Sequence, residues 1–155
     1  MISEKEKIVF LKKGKEAEKE FASNFKNAIE ATPEEDMKSH VDLKITYRID
    51  IKGLKKKKRS DSTTDETIHW VEILNVKGEH GWLYGEADFF AFELNEYWLI
   101  VEKIKLQNFI KSKVIKEYMP KPELYRLYRR EGRKDSITLV SSIDLCYICD
   151  KFIKK

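Results

Sequence analysis

The triplet Asp50-Ile51-Lys52 sets a carboxylate and an ammonium group two positions apart. In an extended chain both side chains point to one face. That pairing suits metal-dependent phosphodiester cleavage, in which the carboxylate holds a divalent cation and the ammonium positions or stabilises an attacking hydroxide. The number of such triplets is uninformative: chance supplies about four at this charge density, and the chain has three, Asp36-Met37-Lys38, Asp42-Leu43-Lys44 and Asp50-Ile51-Lys52. Context separates them. The third is flanked by Ile49, Gly53 and Leu54, which predicts a strand with an apolar, anchored face and rigidly held charges. Asp42 has the same strand parity and comes beside Asp50 after one bend, giving a second carboxylate.

The elements that must position these groups follow from periodicity. Ser3 and Glu6 fit a capping box. Ala17, Phe21, Ala22, Phe25, Ala28 and Ile29 recur at helical spacing and predict an amphipathic helix ending near Ala31. Glu18 falls on its apolar face, where an ionised carboxylate is costly unless paired or metal-bound, so it is a third candidate ligand. Thr32-Pro33-Glu34-Glu35 reads as a loop or a short helical start. From His40 to Gly53 odd-numbered apolar and even-numbered charged residues alternate, predicting strand with a bend near residues 44–47. Residues 55–67 are too polar to bury and read as a loop or a long hairpin tip. Residues 68–76, 87–94 and 97–103 read as further strands of a meander. A second helix covers Leu106 to Ile115, a strand Ile137 to Val140, and a closing helix, capped by Ser142, Ile143 to Ile153. The order implies an α/β fold in one domain, residues 1–155: an N-terminal helix, then a mixed sheet of four to five strands flanked by helices.

The order Gly14-x-x-Ala17-Glu18-x-x-Phe21-Ala22-x-x-Phe25, then Asp42, then Ile49-Asp50-Ile51-Lys52-Gly53 resembles the PD-(D/E)XK superfamily of restriction-endonuclease-like nucleases. The stretch from Trp70 to Glu93 looks like uncharacterised phage and prophage members, and the resemblance extends over residues 14–145. It implies a restriction-endonuclease-like αβββαβ core, Mg2+ or Mn2+ as cofactor, and hydrolysis of nucleic acid, DNA being expected. Asp42 takes the place of the motif's first aspartate, with Val41 where many members have proline. Asp50 and Lys52 take the acidic and lysine positions, and Glu18 that of a first-helix glutamate. The metal ligands implied are Asp42, Asp50, the carbonyl of Ile51 and Glu18, with Lys52 orienting the hydroxide.

Other residues carry two readings each. Lys55, Lys56, Lys57, Lys58 and Arg59 leave directly from the candidate catalytic strand and could grip phosphates, or form a solvated loop. A second cluster, Arg126, Arg129, Arg130, Arg133 and Lys134, reads as a surface turn ahead of a nucleic-acid contact. Trp82 and Tyr84, framed by Gly81 and Gly85, could stack on bases or pack in the core. Glu72, Asn75 and Lys77 are secondary candidates, Lys77 as a substitute for Lys52. Cys146 and Cys149 have metal-ligand spacing without a second pair, which favours packing over zinc, and His40, His69 and His80 form no helical pair.

With 155 residues and 41% hydrophobic content the chain can build one sizeable core. It has no apolar run long enough to cross a bilayer. Alternating charges from Met1 to Lys7 do not resemble a signal peptide, so a cytoplasmic protein is expected, in the host cytoplasm if phage-encoded. The reading is a metal-dependent nuclease, with a homodimer expected if it cuts both strands of a duplex. The alternatives are a catalytically inactive nuclease-fold protein binding nucleic acid or a host protein, and a structural protein whose charges are all solvated.

Overall fold

A computed structural model describes residues 4–155, with side chains from Lys12 onward; the capping box expected at Ser3 and Glu6 lies outside the described residues. Four α-helices and three sheets make up a mixed α/β structure among the described residues. None of these helices is long and apolar enough to cross a membrane. Two compact units divide the chain, one extending through Tyr47 and one from Arg48 to Lys155.

In the first unit, α1 (Glu4–Ala22) leads to β1 (Ala28–Glu30), α2 (Pro33–Ser39) and β2 (Leu43–Ile45). The helix expected to continue to Ala31 stops at Ala22. Ser23 Oγ and Asn24 Nδ2 donate to the carbonyl of Glu20, and Asn24 Nδ2 also to that of Phe21; such side chains compete for helix carbonyls and end the helix. Ala28 and Ile29 then pair as strand, antiparallel to Ile45 and Lys44 of β2. The short helical start at Thr32 is realised as α2, closed by a capping box in which Thr32 Oγ1 accepts from Glu35 N and Glu35 accepts from Thr32 N. That backbone bond and the Lys44 ammonium hold the Glu35 carboxyl down at about 2. No described side chain of this unit is buried. Phe21 packs on Phe25 with ring centroids 5.3 Å apart, yet the predicted apolar stripe is otherwise open.

The second unit contains β3 (Ile49–Lys52), β4 (Ile68–Leu74), a single 3-10 turn (Trp82–Tyr84), β5 (Phe89–Glu93), β6 (Tyr97–Glu102), α3 (Lys103–Lys113), β7 (Ile115–Met119), β8 (Arg126–Tyr128), β9 (Ser136–Ser141), α4 (Ser142–Ile148) and β10 (Lys151–Lys154). The strand predicted from His40 to Gly53 is thus two strands, β2 and β3, broken at residues 46–48 where a bend is expected. The predicted meander is divided as well. β5 and β6 form its hairpin, with β3 parallel to β5 and β10 on the far edge, in the order β10-β6-β5-β3. β4 instead joins a second sheet, β4-β9-β8-β7. Its partner β9 is buried from Ser136 to Val140, as suits an inner strand with elements on both faces.

The closing helix is shorter than the sequence predicts. Ser141, rather than Ser142, is its cap, its hydroxyl accepting from Ile143 N at 3.2 Å. At the other end Asp150 accepts from Glu102 N at 2.8 Å and donates its own N–H to Ile100 O. That turns Phe152 and Ile153, both good strand formers, onto β6 as β10. One apolar cluster serves both four-stranded sheets: Val71 and Val140 from one, Phe90, Phe92, Leu99 and Val101 from the other, with Leu83, Leu106, Ile110 and Leu145 from the helices and turn. Truncating Phe90 or Phe92 to alanine costs about 3–5 kcal/mol.

His69 is buried against this core, its ring 5.1 Å from that of Phe92, and its Nε2 has no hydrogen-bond partner. Burial holds its pKa down at about 4. Because the unfolded chain takes up this proton at about pH 6.5 and the folded chain does not until about 4, stability falls as pH drops through that window. The loss amounts to about 3 kcal/mol. The carboxylates held low in the fold begin to contribute at about pH 5, so the part of the window above that belongs to His69. Denaturant unfolding of wild type and His69→Leu across the window checks this: the variant is expected to lose the slope, and an unchanged slope would refute the assignment.

Candidate functional site

In β3, Asp50 and Lys52 stand in register with Phe90 and Phe92 of β5, both fully buried. The charged pair therefore takes the inner face of the strand, while Ile49 and Ile51, 51% and 65% exposed, take the outer one. The sequence predicts the reverse, an apolar face anchored inside. The reason lies in what the inner face meets. Lys52 Nζ sits 4.0 Å from the centroid of the Trp82 ring and 2.7 Å from Asp50 Oδ2. An ammonium over an indole gains about 0.5–2 kcal/mol, depending on desolvation, and the carboxylate neutralises it. At a sheet edge both groups still reach water.

Two carboxylates, Asp88 just ahead of β5 and Glu93 at its end, hold β3 in place. At its start Asp88 Oδ2 accepts from Arg48 N at 2.8 Å, and Asp88 N donates to Arg48 O. That backbone bond, with the Arg48 guanidinium, holds the Asp88 carboxyl below its ordinary range. At its end Glu93 Oε2 accepts from Leu54 N at 2.9 Å while Oε1 takes Lys155 Nζ at 2.6 Å; the lysine and that N–H lower its carboxyl in turn. Trp82 is fixed as firmly. Gln107 Nε2 and Lys103 Nζ of α3 donate to the carbonyls of Leu83 and Gly85, and the indole packs 4.9 Å from the Phe90 ring.

Trp82 also lines a cavity of about 1080 Å3. Its floor belongs to the second sheet: Glu72 of β4, Ile137 of β9 and Tyr128 of β8 are successive register partners, with Trp70 beside them. Its rim carries the run Lys55, Lys56, Lys57, Lys58 and Arg59, together with Lys121, Arg130 and Arg133. Eight cationic residues thus face three acidic ones, Glu72, Glu123 and Glu131. The run is tied to the floor, since Trp70 Nε1 donates to Lys56 O at 3.3 Å. Arg130 is held by Asp135, which is fully buried and bonds both its backbone N–H and its Nε.

Asp50, Lys52, Lys55–Arg59 and Trp82 therefore fall in one neighbourhood, although Asp50 and Lys52 do not themselves line the cavity. Trp82 packs on the core and also lines the cavity. Glu72 is in the cavity; Asn75 and Lys77 are not. Asn75 Oδ1 accepts from the backbone of Lys77 and Glu79, which makes this segment a tight turn closed by Gly78 at φ +85°. Lys77 is a turn residue. Cys146 and Cys149 are free thiols, half-buried, and burial raises both above their ordinary range, which suits packing rather than reactivity.

In the first unit Glu18 and Asp42 line a hollow of about 510 Å3 with His40. Glu18 is not the unpaired buried carboxylate that the sequence suggests, because Lys15 Nζ lies 2.8 Å from its Oε2 and the helix face around it is open. Its position no longer argues against solvated charge. Among the described residues no group of three or more histidine, cysteine, aspartate or glutamate side chains could hold a metal ion. Glu18 and Asp42 belong to the first unit and Asp50 to the second.

Sequence reasoning missed Trp70, Tyr128, Lys121, Glu123 and Glu131 as cavity lining; Arg130 and Arg133 do flank a turn, as read, closed by Arg133 N donating to Arg130 O, and they also line the cavity. Trp70 and Glu72 share strand parity, a usable signal; Tyr128 joins them through sheet pairing, and Lys121, Glu123 and Glu131 lie in the connections before and after β8. Comparison of the chain with protein-family models, with curated proteins and with solved structures finds no match in any of the three.

Gly81 seats the turn that carries Trp82. Its N–H donates to Ile73 O at 2.8 Å, and a Cβ placed on it would lie 2.4 Å from Glu72 O. Backbone cannot yield as a flexible side chain does, so Gly81→Ala is expected to destabilise by about 1–3 kcal/mol. Thermal and denaturant unfolding measure this, and a wild-type midpoint would show that the approach is not close.

Proposed function

We propose that the protein is a metal-dependent nuclease of restriction-endonuclease-like fold that hydrolyses phosphodiester bonds in nucleic acid, DNA being the expected substrate. The observation that carries the reading is the Asp50–Lys52 pair, fixed at a sheet edge against the same indole that lines a strongly cationic cavity. The cavity supplies charge for phosphates, and the pair supplies the chemistry. The basic run connects the two, since it follows β3 directly in the chain.

The residues present suit Mg2+ in a particular way. This ion keeps several waters and is commonly bound by one or two carboxylates together with substrate phosphates, so a three-carboxylate cage is not required. Asp50 and the Ile51 carbonyl would hold it, and when bound it would acidify a water and neutralise charge on the phosphate. Asp42 and Glu18 enter as further ligands on the sequence resemblance alone. Lys52 holds its ammonium toward Asp50, where it can orient the attacking hydroxide and stabilise negative charge on the phosphate oxygens. Lys55–Arg59 bind flanking phosphates and keep the scissile bond in place.

A second reading, a nuclease-fold protein that binds without cutting, is favoured by the same 2.7 Å contact. In the free protein Lys52 occupies one oxygen of the carboxylate that a metal requires.

Two measurements separate the readings. Wild type with Mg2+ or Mn2+ is expected to cut linear, circular or single-stranded DNA, or RNA, and EDTA is expected to stop it. Asp50→Ala and Lys52→Met, purified in parallel, are expected to fall by about 10²-fold or more; wild-type rates in either would overturn the assignment. Because Lys52 competes for Asp50, Lys52→Met is also expected to bind Mn2+ more tightly than wild type while Asp50→Ala loses that binding. Titration followed by Mn2+ paramagnetic resonance reads this without any turnover, and equal affinities would remove Asp50 as the ligand.

A further inference from the structure

The cavity holds more chemistry than phosphate binding uses. A surface that only gripped a sugar–phosphate backbone would gain nothing from acidic groups, yet Glu72 stands on the floor and Glu123 and Glu131 stand on the wall, among eight cations. Nor would it need aromatic faces, yet Trp70, Trp82 and Tyr128 all line it. Carboxylates accept hydrogen bonds from base amino groups such as cytosine N4, and aromatic rings stack on bases of any sequence. Cations, acceptors and rings together fit a whole nucleotide rather than a backbone alone.

Shape narrows the choice further. At about 1080 Å3 the cleft is slightly larger than the usual small-ligand site, about 300–1,000 Å3. A duplex keeps its bases paired and stacked inside, so what it offers such a cleft is mostly backbone. An unpaired strand can bring its bases to the floor, because they turn freely away from its phosphates.

We infer that this cavity binds an unpaired segment of nucleic acid. A base lies over the row Glu72–Ile137–Tyr128, and its flanking phosphates are held by Lys55–Arg59 on one side and by Arg130 and Arg133 on the other. The assignment deepens the nuclease reading by naming its substrate class, and it rests on that reading only for what is cut. The floor is preformed: three strands fix the row in register, Trp70 is held through Lys56 O, and Arg130 is held by buried Asp135. Little ordering is needed on binding. Trp70 and Tyr128, with ring centroids 6.3 Å apart at 43°, give a floor that suits stacking from above rather than insertion between parallel rings.

The test is fluorescence anisotropy in EDTA, so that nothing is cut, with a labelled short oligothymidylate, a labelled oligodeoxycytidylate, and a hairpin duplex of equal length. Unlabelled mononucleotide serves as competitor. Both single strands are expected to bind about tenfold or more tightly than the duplex, with affinity falling steeply as salt rises, and mononucleotide is expected to compete weakly. Tyr128→Leu is expected to lose about tenfold while Tyr128→Phe keeps wild-type affinity, with circular dichroism confirming the fold of each. Arg133→Gln, at an exposed position, is expected to bind more weakly to every strand and to reduce the salt slope by about 0.7. Equal or tighter binding of the duplex overturns the inference, as does mononucleotide competing as well as the oligomer, or an unchanged Tyr128→Leu. No cleavage with a retained single-strand preference removes the nuclease reading and leaves this site standing; duplex cleavage without that preference does the opposite.

Discussion

The parallel pairing of β3 with β5 is the constraint on which the rest depends. β3 is four residues long and lies at an edge, so its own ladder is too short to keep it in place. The carboxylates of Asp88 and Glu93 add bonds to the backbone just before and just after it. With its ends fixed, register is fixed, and a slip of one residue would exchange the two faces of the strand. Lys52 would then leave the indole of Trp82 and an isoleucine would replace it. The geometry of the charged pair follows from two acidic side chains that touch neither member of it.

Much of this was legible in the chain and some was not, and the division has a physical basis. Alternation from His40 to Gly53 located the strands and the bend between them, and Gly81 and Gly85 marked the turn carrying Trp82. Local signals suffice for such features because they arise from neighbouring residues. Strand partnership does not. β4 reads like part of a meander but pairs with β9, Ile68 opposite Ser141, and no nearby residue announces that choice. Phe152 and Ile153 fit a helical pattern equally well, and only the bonds of Asp150 to β6 turn them into strand. Arg130 and Arg133 flank a turn, as they read, but that this turn joins β8 to β9 and lines the cavity follows only from strand pairing.

The faces of β3 show a second limit. Hydropathy predicts that isoleucines turn inward and charges outward, and here the opposite holds. Burial preference is a statement about averages, whereas Lys52 meets a specific aromatic face and a specific carboxylate. Two such contacts at a sheet edge, where water still reaches the charged atoms, outweigh exposing Ile49 and Ile51. The inversion also separates labour between the sheets: the pair belongs to one, the cavity floor to the other, and the Trp82 turn joins them.

Eight cations around one cavity also shape the protein's behaviour in solution before any partner arrives. Like charges held this close repel, and three acidic neighbours relieve only part of that strain. Small multivalent anions that settle between them favour the folded chain, because the unfolded chain offers no such cluster. Buffer identity is therefore a structural variable. At equal ionic strength a multivalent anion such as phosphate or sulfate, if it settles there, would favour the folded chain more than chloride does.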